Sequence, residues 1–311
     1  MTTPSDSFDP VIGRADDLEP GLRRILAPNP SPMTYRGTNT YVLGNRDLAV
    51  IDPGPQSAGH LAAILSAVGT DQTITHIVVS HAHLDHSPLA RALSQRTGAP
   101  VYAFGPADAG RSAIMNRLAK SGMAGGGEGI DTDFAPDIAL RDGDELRTDD
   151  WTLKALHTPG HIGNHLCLAW NDACFTADHV MGWASSLVSP PDGDLTDFMA
   201  SCAKLQDRDW RVFYPGHGAP VTTPRARLDW LVSHRLTREQ AILDTLRTGP
   251  ADAAQLAAAI YTDTPPHLLP AAARNVLAHL IDLEGKSLVS AQGQLTATTR
   301  FARYPDKLDR N

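Results

Sequence analysis

Ile74-Thr75-His76-Ile77-Val78-Val79-Ser80 runs directly into His81-Ala82-His83-Leu84-Asp85-His86. The first seven residues are apolar and rich in β-branched side chains, which predicts a short buried strand. Pro88 to Arg96 then predicts a helix, so the second stretch occupies the loop where strand passes to helix. Three imidazoles and a carboxylate stand there within six residues. Neutral imidazole and carboxylate are ligands that borderline divalent metals favour, and a loop at a strand end can aim several side chains at one point. A polar loop with Asp85 as helix cap accounts for one of these residues, but not for all four.

Upstream, Tyr41 to Leu43 and Leu48 to Ile51 read as a hairpin that closes on Asp52-Pro53-Gly54, and Gly59 to Val68 has apolar residues at helical spacing. Downstream, Val101 to Ala103 returns to strand, completing a β-α-β rhythm that favours a layered α/β domain. Between Gly105 and Pro136 the pattern loosens. Ser121 to Gly129 (SGMAGGGEG) reads as a flexible loop or lid; no Gly-Lys-Ser/Thr follows and no strand feeds it, which argues against a phosphate cradle. Strands resume at Trp151 to His157, His165 to Ala169, Ala173 to Thr176 and Arg211 to Tyr214, with a helix over Thr196 to Leu205. After Pro224 the texture is helical and ends in a hairpin over Leu288 to Leu295, turning at Gln292-Gly293. The expected organisation is a catalytic domain with an N-terminal extension over 1–224 and a small winged-helix-like domain over 225–311. Acidic and basic side chains nearly balance in that tail, so packing or homodimerisation suits it at least as well as nucleic-acid binding.

Three further ligand-type residues sit at predicted strand ends. His161 follows Thr158-Pro159-Gly160, Asp178 follows Cys174-Phe175-Thr176-Ala177, and His217 follows Tyr214-Pro215-Gly216. Active-site residues of layered α/β proteins gather at strand ends. In this order, His81-x-His83-x-Asp85-His86, His161, Asp178 and His217 resemble the full ligand set of the metallo-β-lactamase superfamily, over roughly Tyr41 to Pro220. That resemblance implies a four-layer αβ/βα sandwich with two zinc ions at one edge, or manganese or iron in their place. It puts His81, His83 and His161 on the first ion, Asp85, His86 and His217 on the second, and Asp178 between them. An aspartate rather than a cysteine at 178 resembles the thioesterase and nuclease branches, and His83 in place of a glutamate disfavours a redox di-iron role. Met33 to Leu43 (MTYRGTNTYVL), Thr158 to His165 and the helical tail are most similar to the β-lactamase-like protein 2 group, whose animal members cleave single-stranded RNA.

Two divalent ions about 3.5–4 Å apart lower the pKa of a shared water toward ~7 and polarise the attacked carbonyl or phosphoryl oxygen. The expected nucleophile is therefore a metal-bridging hydroxide, with Asp85 ligating, orienting it and accepting its proton. Asp52, His165 and His179 are candidates for hydrogen bonds that fix the ligands; Asp52 reads equally as a turn residue, and His165 as a leaving-group acid or an internal hydrogen-bond partner. Thr38, Asn39 and Thr40 on one side, and Trp183, Ser185 and Ser186 on the other, are candidates to face the substrate. The remaining histidines, His60, His76, His157, His234, His267 and His279, read as structural.

The chain of 311 residues is 42% hydrophobic, enough for one large core and a small second domain. The resemblance in motifs and tail favours a phosphodiester of single-stranded RNA as the substrate, whereas the formal net charge of -8 argues against a broad phosphate-binding surface and favours the alternative, a small ester or thioester as in the hydroxyacylglutathione hydrolases. No signal peptide or membrane span is expected, and three cysteines without a Cys-x-x-Cys pair suit a reducing compartment, the cytoplasm.

Overall fold

The computed structural model describes residues 8–125 and 129–304. The first half contains β1 (Ala15–Glu19), β2 (Leu22–Leu26), β3 (Asn39–Leu43), β4 (Asp47–Ile51), α1 (Ala58–Ser66), β5 (Thr73–Val78), α2 (Leu89–Thr97), β6 (Val101–Ala103), α3 (Ala113–Lys120) and β7 (Ile138–Ala139). The second contains β8 (Glu145–Arg147), β9 (Thr152–His157), β10 (Leu166–Trp170), β11 (Ala173–Ala177), α4 (Leu195–Gln206), β12 (Val212–Pro215), α5 (Pro224–Thr245), α6 (Ala253–Ile260), α7 (Leu269–Gly285), β13 (Val289–Ala291) and β14 (Phe301–Arg303). Strands β1 to β7 form one sheet in chain order, and a second sheet has the order β12-β11-β10-β9-β8.

Alternation along the strands builds four layers. Tyr41, Leu43, Ala49 and Ile51 point from the first sheet into a core shared with Leu166, Leu168, Phe175, Val212 and Tyr214 of the second. The intervening Val42, Leu48 and Val50 point the other way, onto Ile64 of α1 and Leu89 and Leu93 of α2. On the far face of the second sheet, Cys167, Cys174 and Phe213 meet Phe198 and Leu205 of α4 and Leu228 and Leu231 of α5. A period of two with both faces buried is what places near-continuous apolar runs in these strands, each large side chain contributing about 1.5–3 kcal/mol of burial. The expected αβ/βα sandwich is thus present.

A fourth core joins Ile242 and Leu246 at the end of α5 to Leu256 of α6, Val276 and Leu280 of α7, and Val289 and Phe301 of the terminal hairpin. Three expectations change. The expected N-terminal extension holds β1 and β2, of which β2 pairs with both β1 and β3, so it is part of the first sheet. The loosened stretch after Gly105 holds α3, whose Met115 and Leu118 pack into the C-terminal core. The terminal hairpin pairs Val289 with Arg303 and Ala291 with Phe301, a longer excursion than a turn at Gln292-Gly293, because Phe301 is the apolar anchor. Gly126, Gly127 and Glu128, the centre of the expected flexible loop, lie outside the described residues. Among the described residues no helix is long and apolar enough to cross a membrane.

One buried histidine of α1 gives a pH signature. His60 is 1% exposed, its Nε2 lies 2.8 Å from Thr40 Oγ1, and burial holds its imidazole down at about 4 from the usual 6.5. The unfolded chain takes up this proton near pH 6.5, whereas the folded chain refuses it until about pH 4. The associated stability is therefore complete above pH 6.5 and drains as pH falls through that window, by up to about 3 kcal/mol. In denaturant melts at pH 7.5 and 5, roughly bracketing the upper part of this window, His60→Gln should lose less stability on acidification than the wild type; parallel losses would contradict the assignment.

Candidate metal centre

Strand direction explains why distant residues converge. β4 and β5 are parallel, as are β11 and β12, and β9 runs in the sense of β11 because both are antiparallel to β10. Their C-terminal ends therefore lie at one edge of the sandwich, and the next residues along the chain are Asp52, the His81 motif, His161, Asp178 and His217. The backbone is bent for this purpose at two ends: Asp52 and Ala177 take φ of 50° and 40°, a left-handed conformation that costs a non-glycine residue about 1–3 kcal/mol.

The structure brings all seven expected ligands together in two groups. One comprises His81, His83, His161 and Asp178, the other Asp85, His86, Asp178 and His217, with the donor atoms of each group within 4.8 Å of one another. His83 Nδ1 lies 3.0 Å from both His81 Nε2 and His161 Nε2. Asp178 Oδ2 approaches His161 Nε2 at 3.6 Å, while its Oδ1 is 3.4 Å from His86 Nε2 and 3.3 Å from His217 Nε2. Asp85 Oδ2 is 3.1 Å from His217 Nε2 and 3.3 Å from His86 Nε2. Gly216 is needed for this closeness, since a Cβ there would meet Asp178 Oδ1 at 2.5 Å and His86 at 2.8 Å.

The electrostatics fit divalent cations. Burial alone would raise the carboxyls of Asp85 and Asp178, yet the imidazoles of His86 and His217 hold both well below the usual carboxylate range. Burial opposes charge on His217, but Asp178 and Asp85 lift it to about 10, and the carboxylates around His86 likewise raise it well above an ordinary imidazole. Positive charge is thus stabilised at the centre of the group. Burial keeps His81 and His83 neutral, the state in which imidazole ligates. His86 Nε2, Asp85 Oδ1 and Asp178 Oδ1 are buried without a hydrogen-bond partner, whereas buried polar atoms of a folded protein are ordinarily satisfied. Imidazole and carboxylate donors without cysteine, oriented this way, suit divalent ions.

Outer contacts fix the rings. Asp52 Oδ1 accepts from the Ser80 amide at 2.7 Å; its Oδ2 accepts from Ser80 Oγ at 2.8 Å and lies 3.0 Å from His86 Nδ1. Ser80 Oγ is in turn 2.9 Å from His81 Nδ1, and His161 Nδ1 is 2.7 Å from the Leu187 carbonyl. Thr38 Oγ1 donates to Asp85 Oδ2 at 3.3 Å. The other candidates divide. Asn39 is fully buried, its amide donating to the carbonyls of Pro215 and Gly218, so it secures the His217 loop instead of facing a substrate. Ser186 is buried too, with Oγ 3.3 Å from His161 Nδ1; Ser185 is half-buried. Trp183 lies against Gly218 and stacks on Tyr35 at 5.0 Å. His165 is sealed in, Nδ1 3.0 Å from Thr158 Oγ1, which matches an internal partner better than a leaving-group acid. His179 sits in the core against Phe198 with Nε2 3.6 Å from Cys202 Sγ.

Beside His83 and His161 opens a cavity of about 400 Å³, which also borders Arg111 and Asp192, an ion pair at 2.6 Å. Neither residue was marked by any sequence signal, and Ser80 and Leu187, which orient ligands, were hidden as an ordinary strand end and a loop carbonyl.

The sequence profile of the metallo-beta-lactamase superfamily matches residues 33–217, and that of the beta-lactamase associated winged helix domain matches residues 253–298. The chain is 31% identical to a beta-lactamase-like protein 2 homolog of Drosophila melanogaster over 303 residues, covering 90% of this chain and 94% of the relative. It is 28% identical to an atrochrysone carboxyl ACP thioesterase of Aspergillus fumigatus, covering 76% and 69%. A beta-lactamase domain protein from Burkholderia ambifaria superposes with a TM-score of 0.79 at 20% identity, covering 97% of both chains. With fold, donor set and profile in agreement, the chain belongs to the metallo-beta-lactamase superfamily, as a metal-dependent hydrolase that ends in a winged helix.

Proposed function

We propose that the protein is a binuclear zinc hydrolase of acyl thioesters or related esters. The observation that carries this reading is the cavity of about 400 Å³ beside His83 and His161, walled by apolar side chains such as Met123, Ile130 and Leu187. An RNA phosphodiesterase needs cations to meet phosphates, and here the nearby guanidiniums are already engaged. Arg111, the guanidinium that lines the cavity, pairs with Asp192, and Arg274, behind the wall, donates to Ser189, Pro190 and Ala124. A relative described as an acyl-carrier-protein thioesterase points the same way. Three buried free thiols suit work in the cytoplasm.

In thioester hydrolysis, water adds to the carbonyl carbon, the C–S bond breaks, and the thiolate leaves with a proton. When bound, zinc ions supply Lewis acidity and hydroxide at neutral pH. His81, His83 and His161 with Asp178 would hold one ion, and Asp85, His86 and His217 with Asp178 the other. Asp85 Oδ2 faces His217 and His86, which leaves Oδ1, buried and without a partner, to accept a hydrogen bond from the attacking water and orient it. Thr38 holds that carboxylate in place, and the apolar cavity wall excludes bulk water from the acyl side.

Assays of zinc-loaded protein on acyl-pantetheine thioesters and on a short unstructured RNA, with EDTA and Asp178→Ala as controls, test this. Thioester turnover that EDTA abolishes is expected; cleavage of the RNA alone would overturn the reading. Single-stranded RNA is the second reading, favoured by the Tyr35 and Trp183 rings stacked beside the His217 loop, because unstacked bases bind to aromatic faces.

A further inference from the structure

Two walls of the cavity come from segments far apart in the chain. Ala119 and Met123, at the end of α3 and just beyond it, form one; Leu187 and Pro191 form the other. Both are held by a third segment, α7. Arg274 Nε donates to Ser189 Oγ at 2.9 Å, and its Nη2 donates to the Pro190 carbonyl and, at 3.0 Å, to the Ala124 carbonyl. A single guanidinium thus staples one wall to the other. Next to it, Asn275 Oδ1 accepts from the Val188 amide at 3.0 Å and from Arg235 at 3.0 Å, and Arg235 also donates to the Ser186 carbonyl. The anchoring helix is firm, with Val276 and Leu277 buried in the C-terminal core.

We infer that this cavity receives the acyl chain of the substrate and that Arg274, a positioning residue on the winged-helix side, sets its width; the inference rests on the thioester reading above. Away from His83 and His161 the lining side chains are mainly apolar, with Thr132 and Ser189 among them, and the Arg111–Asp192 pair closes charge on itself with only 15% and 12% of the two side chains exposed, so a methylene chain meets no uncompensated ion. The reacting carbonyl lies toward His83 and His161, and the chain runs from there between α3 and the 187–191 segment. Each methylene buried multiplies affinity up to about fourfold, so preference should climb with chain length until the cavity is full.

The test is kcat/KM for acetyl- to decanoyl-pantetheine on the full-length zinc-loaded protein, its Ala119→Phe variant and its Arg274→Ala variant, with amide exchange at Gly122 and Met123 followed in parallel. In the wild type the octanoyl to acetyl ratio should exceed about tenfold. Ala119→Phe should cut that ratio by about tenfold by filling the cavity, and Arg274→Ala should cut it through KM with zinc content unchanged and faster exchange at the two amides. If thioesters are turned over but neither variant moves the ratio, the chain lies elsewhere and this assignment falls while the thioester reading stands. If no thioester of any length is turned over with both metals bound, the thioester reading fails, and the assignment with it.

Discussion

Asp178→Ala should reduce the metal content from two equivalents to less than one and lower activity by more than the roughly 10–100-fold that loss of an outer hydrogen-bond partner costs. Its carboxylate belongs to both donor groups, with Oδ2 toward His161 and Oδ1 toward His86 and His217. Removing it leaves three imidazoles in one group, and two imidazoles with a single carboxylate, Asp85, in the other. Loss of this negative charge also reduces the support for positive charge at His86 and His217, where Asp85 and, for His86, Asp52 remain, so the fold should survive. Elemental analysis after dialysis, read beside a melt, separates the outcomes. Two tightly held zinc ions in this variant would mean that Asp178 ligates neither.

Asp52→Asn should weaken metal binding about 10–100-fold although the residue touches no metal. One proton arrangement satisfies the chain of contacts: His86 Nδ1 donates to Asp52 Oδ2, Ser80 Oγ donates to the same oxygen, and His81 Nδ1 donates to Ser80 Oγ. Both rings then present a bare Nε2 to the centre. One carboxylate thereby sets the tautomer of a ligand in each group. An amide can accept through only one oxygen, so one of these donors meets an N–H and its ring is driven to the other tautomer. Asparagine tolerates the φ of 50° at this position, so the variant isolates the lost carboxylate from any backbone effect. Competition with a chromogenic zinc chelator reads the affinity, and wild-type binding in Asp52→Asn would refute the relay.

The metal centre was legible because its densest part is contiguous. His81 to His86 declare themselves by composition, and the other ligands follow apolar β-runs whose alternation places their ends. What was illegible depends on partners remote in sequence. Ala15–Glu19 reads as polar because it is an edge strand with half-exposed side chains, recognisable only once β2 lies beside it. Helix α3 buries just Met115 and Leu118, and its stability comes from α5 to α7, more than a hundred residues onward. The contacts that shape the cavity, Arg111 to Asp192 and Arg274 to Pro190, span 81 and 84 residues without any local pattern. Asn39 misled for the opposite reason: a polar residue next to the predicted hairpin suggested a contact with substrate, whereas its amide is consumed by two backbone carbonyls.

Helix α5 runs unbroken from Pro224 to Thr245 and inserts Leu228 and Leu231 into the core behind the second sheet, then Ile242 into the core of the winged helix. It acts as an axle common to both bodies, so the tail is no pendant module swinging on a tether. Arg235, midway along the helix, donates to the Ser186 carbonyl, one residue from the carbonyl that orients His161, so the axle itself reaches the metal centre.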